Sequence, residues 1–187
     1  EATFWSQFWL FYLVGVVIFL FGVLTFLARP DAEAAQVFAL FAVSTAVIIG
    51  ALFDQVTTQV FIRVWTLALS VAGGFTLLLA FVFPHEARLI ARFPWLKWII
   101  ILPGLLLAAW GEIWLYHGPD AWAYALPWRY AYFWNALTLI ATLGFMVYRS
   151  IASPSALVRQ QARIILLGAV AGLMPILVTL LWLATSQ

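Results

Sequence analysis

The sequence predicts an all-α, polytopic membrane helix bundle of about six transmembrane helices, on three observations. The chain of 187 residues is 66% hydrophobic and only 9% charged, with a mean hydropathy of +1.07. A soluble domain carries roughly 25% charged residues, so no water-facing surface could be built from this composition. The apolar residues fall in runs near the ~20 residues that a helix needs to cross a bilayer core. Seven of the nine basic residues, Arg29, Arg88, Arg92, Lys97, Arg149, Arg159 and Arg163, lie after runs one, three and five, leaving Arg63 and Arg129 on the other side. Positive residues stay cytoplasmic during insertion, so the first and last residues are expected outside.

The spans are expected near 4–28, 34–53, 60–83, 98–116, 130–148 and 164–184. Pro30, Pro84 and Pro119 act as stops, because proline cannot continue a helix and its predecessor avoids helical angles. Ser153-Pro154-Ser155 reads as an N-cap, with a short amphipathic turn from Ala156 to Arg163 before the last span. Strands are excluded, since a lipid-exposed strand leaves its backbone unpaired and the runs do not alternate. Residues 1–187 form a single transmembrane domain with short loops.

One rim is crowded with aromatics: Trp110, Trp114, Tyr116, Trp122, Tyr124, Trp128, Tyr130, Tyr132 and Trp134, joined by Trp5 and Trp9. Two readings stand: an interfacial belt, and a pocket for an apolar ligand such as a lipid, quinone or hydrophobic peptide. Glu112 lies within this rim, and an ionisable group in a span is a functional candidate. Arg129 and Asn135 are its expected partners, and the alternatives are a structural ion pair or a ligand or proton role. Asp54 and Arg63 flank a short loop and are expected to pair as anchors, which in an exposed position contributes little.

Gly168-x-x-x-Gly172 and Gly104-x-x-x-Ala108 bring small residues onto one helix face, which lets helices approach closely in lipid. The sequence leaves open whether the partner is the same bundle, another transmembrane subunit or a second copy. Pro103 and Pro175 lie inside spans and predict kinks. Ser44, Thr45, Thr138 and Thr142 are expected to bond back to their own helices.

No nucleophile–base pair, phosphate loop or metal cluster is visible, and the histidines, His85 and His117, fall just beyond span ends. No catalysis, no metal and no bis-histidine haem are therefore expected. A bound lipid, quinone or pigment is compatible with the pattern. The scattered charges give no nucleic-acid face. Without cysteine there are no disulfides.

Ser153-Pro154, Arg159-Gln160-Gln161-Ala162-Arg163-Ile164, then Gly168, Gly172 and Pro175, form an "SP…RQQ.R…LG…G..P" pattern. Ala28-Arg29-Pro30 and Leu79 to Pro84 add to it, although residue 80 is alanine where the related pattern has histidine. The chain thereby resembles the multi-span sensor region of bacterial histidine kinases and of related membrane-anchored phosphatases and cyclases. The resemblance implies a non-catalytic sensor in the bacterial inner membrane, followed by a further span and a cytoplasmic output domain. The competing expectation is a structural or accessory subunit of a photosynthetic or respiratory membrane complex. A small transporter is the third reading, disfavoured by the lack of an internal repeat and of midplane polar residues.

Overall fold

A computed structural model describes residues 2–118, 120, 122–153 and 155–185, with the side chains of residues 2–8, 56 and 173 excepted. The Trp5 side chain, the expected stop at Pro119 and the proline of the Ser153-Pro154-Ser155 cap lie outside the described residues.

The described residues form helices without strands: α1 Ala2–Ala28, α2 Glu33–Gly50, α3 Leu52–Val56, α4 Ile62–Val82, α5 Arg88–Arg92, α6 Leu96–His117, α7 Ala125–Ala152 and α8 Ala156–Thr185. Five of these helices are long and apolar enough to cross a membrane, and α8 supplies a sixth when counted as one bent span. This is a multi-pass membrane protein. Many large apolar side chains are exposed, as expected where lipid replaces water.

The boundaries differ from the expected spans where backbone chemistry intervenes. Span two was expected to reach residue 53. Instead α2 ends at Gly50, and after Ala51 the chain re-enters a single turn, α3. The expected amphipathic turn at 156–163 is the first part of α8 itself. That helix bends by 50° between Gly172 and Met174. Pro175 has no N–H to donate to residue 171 and its ring crowds that carbonyl, which accounts for the bend. Helix α6 runs on through Pro103 without ending.

Helix α4 is the centre. It touches α2, α6 and α7, whereas α1 packs chiefly on α2 and α8 chiefly on α7. The helices thus form an open row, α1–α2–α4–α7–α8, with α6 seated against α4 and α7. Small residues set the spacing. A Cβ on Gly104 would lie 2.6 Å from the Ser70 carbonyl oxygen, and one on Gly111 would lie 2.7 Å from Thr66 Cγ2. With buried Ala108 between them, they form the seam of α6 on α4. Successive glycines of α4 serve two neighbours, since Gly73 abuts Thr138 and Trp134 of α7 while Gly74 abuts Ile100 and Ile101 of α6.

The fate of the two small-residue motifs differs. Gly104 and Ala108 pack inside the bundle. Gly168 and Gly172 are exposed, and a Cβ on either would meet nothing within 4 Å.

Candidate functional site

The aromatic rim is divided by the fold into an interior cluster and a surface cluster. Trp65 of α4 stacks obliquely on Trp128 of α7, with ring centroids 4.8 Å apart, and Tyr124 and Tyr132 close around them. Both indoles are tied down. Trp65 Nε1 donates to the Ile48 carbonyl at 3.2 Å, and Trp128 Nε1 donates to the fully buried Thr66 hydroxyl at 3.0 Å. Asn135 continues the same seam about two turns further along α7, donating from Nδ2 to the carbonyls of Leu69 and Ala131 at 2.7 and 2.8 Å. Trp128 and Asn135 are therefore bolts between α4 and α7.

The surface cluster lies on α6 and the start of α7. Trp110 meets Trp114 edge-on and Tyr130 obliquely, each at 5.5 Å. Between these indoles in sequence, Glu112 turns toward α4, where its Oε2 receives Arg63 Nε at 2.8 Å. The guanidinium also sits over the Tyr116 ring at 5.7 Å. The sequence pointed to Arg129 and Asn135 as partners of Glu112. Its cation comes from the first residues of α4, and Asn135 is turned to the α4 backbone. Arg63 thus pairs with Glu112 where Asp54 was expected. The second carboxylate oxygen of Glu112, Oε1, is buried and accepts no hydrogen bond among the described residues.

Asp54 organises the turn after α3. Its carboxylate accepts from the Val60 and Phe61 N–H groups, at 3.2 and 2.7 Å, and from the Thr58 hydroxyl. Burial alone would push this carboxyl up. The three hydrogen bonds to the ionised form outweigh it, and the net shift is downward. The expected Asp54–Arg63 pair is replaced by this loop cap.

A cavity of about 510 Å³ opens beside the surface cluster, lined by Trp114, Tyr116 and Tyr124 together with Gln59 and Asp120. Of the residues expected to bind a ligand, only Trp114 lines it. Glu112, Trp110, Trp128, Asn135 and Arg129 do not converge on it.

At the opposite, basic rim, Arg149 is buried in the last turns of α7. It donates to the carbonyls of Phe81, Phe83 and His85 at 3.3, 2.9 and 2.5 Å, and lies over the Phe145 ring at 4.7 Å. Helix ends leave carbonyls without partners, and a cation there satisfies them and opposes the helix dipole. Lys97, at the start of α6, bridges Glu33 of α2 and Glu86 of the α4–α5 turn at 2.5 and 3.3 Å. Arg159 donates to the Ser153 carbonyl at 2.6 Å, and Gln160 and Arg163 are exposed on the first turns of α8.

Ser44 and Thr138 bond back to their own helices, as expected. The buried Thr142 hydroxyl departs from the expectation and has no partner among the described residues. Those residues also contain no cluster of three or more His, Cys, Asp or Glu able to hold a metal.

The chain matches no protein-family model, no curated protein and no solved structure.

Proposed function

We propose that this chain is a non-catalytic module of a bacterial cytoplasmic membrane that reads an apolar ligand or the state of the bilayer at its aromatic rim. The resemblance of its sequence to histidine-kinase sensor regions supports that reading. The basic rim then faces the cytoplasm, where an output domain would be addressed.

The observation that carries the proposal is the unmet oxygen of Glu112. A buried acceptor without a donor costs roughly 1–3 kcal/mol. An intramembrane carboxylate in that state, near the aromatic rim, suits an apolar molecule bearing one hydrogen-bond donor. Helices α4 and α7 supply a route onward. They are bolted together by Trp128–Thr66 and Asn135–Leu69, and at the far rim Arg149 of α7 grips the end of α4. A shift of Arg63 and Glu112 at one rim would move a coupled pair of helices at the other.

One observation favours a second reading, that of an accessory subunit in a larger membrane complex. Gly168 and Gly172 present a close-approach face on exposed α8 that no described residue fills.

Gentle extraction from native membranes, followed by native mass spectrometry, separates the two. The sensor reading expects a single species or a homodimer without unlike membrane subunits. A stoichiometric assembly of different transmembrane chains would replace it with the accessory-subunit reading.

A further inference from the structure

A groove of about 620 Å³ runs between α1, α2 and the start of α4, and no residue of α6 or α7 lines it. It stands apart from Glu112 and does not depend on the sensor reading. It exists because side chains are missing from its floor. At Gly15 the helices close up, since a Cβ there would lie 3.1 Å from the Ala46 carbonyl oxygen. At Gly50 they part, and a Cβ would meet nothing within 4 Å. The walls are apolar: Val16 and Phe19 on α1, and Phe61 and Val64 beside α4. Val16 is 54% exposed and Val64 50%, on helices of membrane-spanning length, so the groove opens sideways into the bilayer.

One end of the groove is polar, formed by Asp54, Thr57 and Thr58. Its threonine donors are already committed. The Thr57 hydroxyl donates to the Phe53 carbonyl at 2.8 Å, and the Thr58 hydroxyl donates to Asp54. What remains is acceptor capacity: the spare lone pairs of a carboxylate and two hydroxyl oxygens. The lining holds no lysine or arginine. A head group that only accepts hydrogen bonds, such as a quinone carbonyl, meets no cation in the lining and only the Tyr12 hydroxyl as a side-chain donor. A head group that donates and carries positive charge complements both the lone pairs and the sign.

We propose that this groove is a lipid site, holding one acyl chain of an aminophospholipid along its apolar walls with the ammonium head group on Asp54, Thr57 and Thr58. The choice of occupant follows from the anionic, acceptor-rich end joined to a lipid-facing apolar trough.

The test is native mass spectrometry of the detergent-solubilised full chain titrated separately with phosphatidylethanolamine, phosphatidylcholine and a ubiquinone. The ethanolamine lipid is expected to be retained about tenfold better than the choline lipid, a difference of about 1.4 kcal/mol, because the quaternary head has charge but no N–H. Gly50→Leu places a side chain in open space and should cut retention at least about tenfold while the thermal midpoint holds. Val64→Trp fills the trough from the opposite wall and decides the matter if Gly50→Leu does not fold. Equal retention of the two phospholipids, preferential retention of the quinone, or undiminished ethanolamine-lipid binding by a folded trough-filling variant would overturn the proposal.

Discussion

A guanidinium inside a helix of membrane-spanning length must find acceptors within the protein, and Arg149 finds three backbone carbonyls at the end of α4. Removing it takes the side-chain donor from the Phe83 and His85 carbonyls, while Phe81 keeps the Ala87 N–H, and opens a space against Phe145. We expect Arg149→Ala to lower stability by about 3 kcal/mol, and Arg149→Lys to recover only part of it, since one ammonium cannot span the same fork. Chemical or thermal unfolding of the purified protein checks both. From sequence, Arg149 was legible as a topology-setting charge only. Its helical neighbours on both sides were the missed signal, because a basic residue in a span rather than a loop calls for a partner.

Asp54 gives a pH prediction at the same scale. Its carboxyl is held below its ordinary value when folded, so it stabilises the fold fully above the unfolded-state value. That contribution is lost as pH falls from about 4 through the depressed folded value. Thermal midpoints measured from neutral pH downward should fall in that window for the wild type. In Asp54→Asn, already weakened at neutral pH, the additional loss should be smaller. An equal acid response in both proteins would remove Asp54 as the cause.

At the scale of elements, the seams were more legible than the polar contacts. Gly104 and Ala108 announced a close helix approach, and α6 uses them against α4. The same motif at Gly168 and Gly172 could not be assigned, because spacing reports the capacity for approach and not the partner. The two sites now make opposite predictions. Gly104→Val drives a side chain into the Ser70 backbone and should destabilise by about 1–3 kcal/mol. Gly168→Val and Gly172→Val enter open space and should leave the isolated chain's stability within about 0.5 kcal/mol. A large loss from Gly168→Val in the monomer would mean that α8 packs differently. The choice of Arg63 for Glu112 escaped the sequence for a related reason. Arg129 is nearer along the chain, but the packing of α6 on α4 brings Arg63, 49 positions away, to the carboxylate.

At the scale of the whole molecule, the all-α membrane architecture was plain from composition and run length, since these reflect the solvent that surrounds every helix. The order of helices in the row was not, because lipid offers no hydrophobic force to pair one apolar face with another and small residues and polar bolts decide instead. Those bolts make α4 and α7 one mechanical pair, joined at the aromatic rim by Trp128, midway by Asn135, and at the basic rim by Arg149. The sensing account requires that pair to move as a unit when the aromatic rim is perturbed.

The cysteine-free chain permits a direct test, because thiol probes attach only where cysteine is introduced. Ala91→Cys and Ile164→Cys, both exposed near the basic rim, would carry spin labels in lipid nanodiscs. The distance between them should change when bilayer thickness is varied, and the change should be blunted in Glu112→Gln, which breaks the ionic link to Arg63. A distance that stays fixed across bilayers, and is identical in Glu112→Gln, would contradict the sensor account and leave the chain a static scaffold.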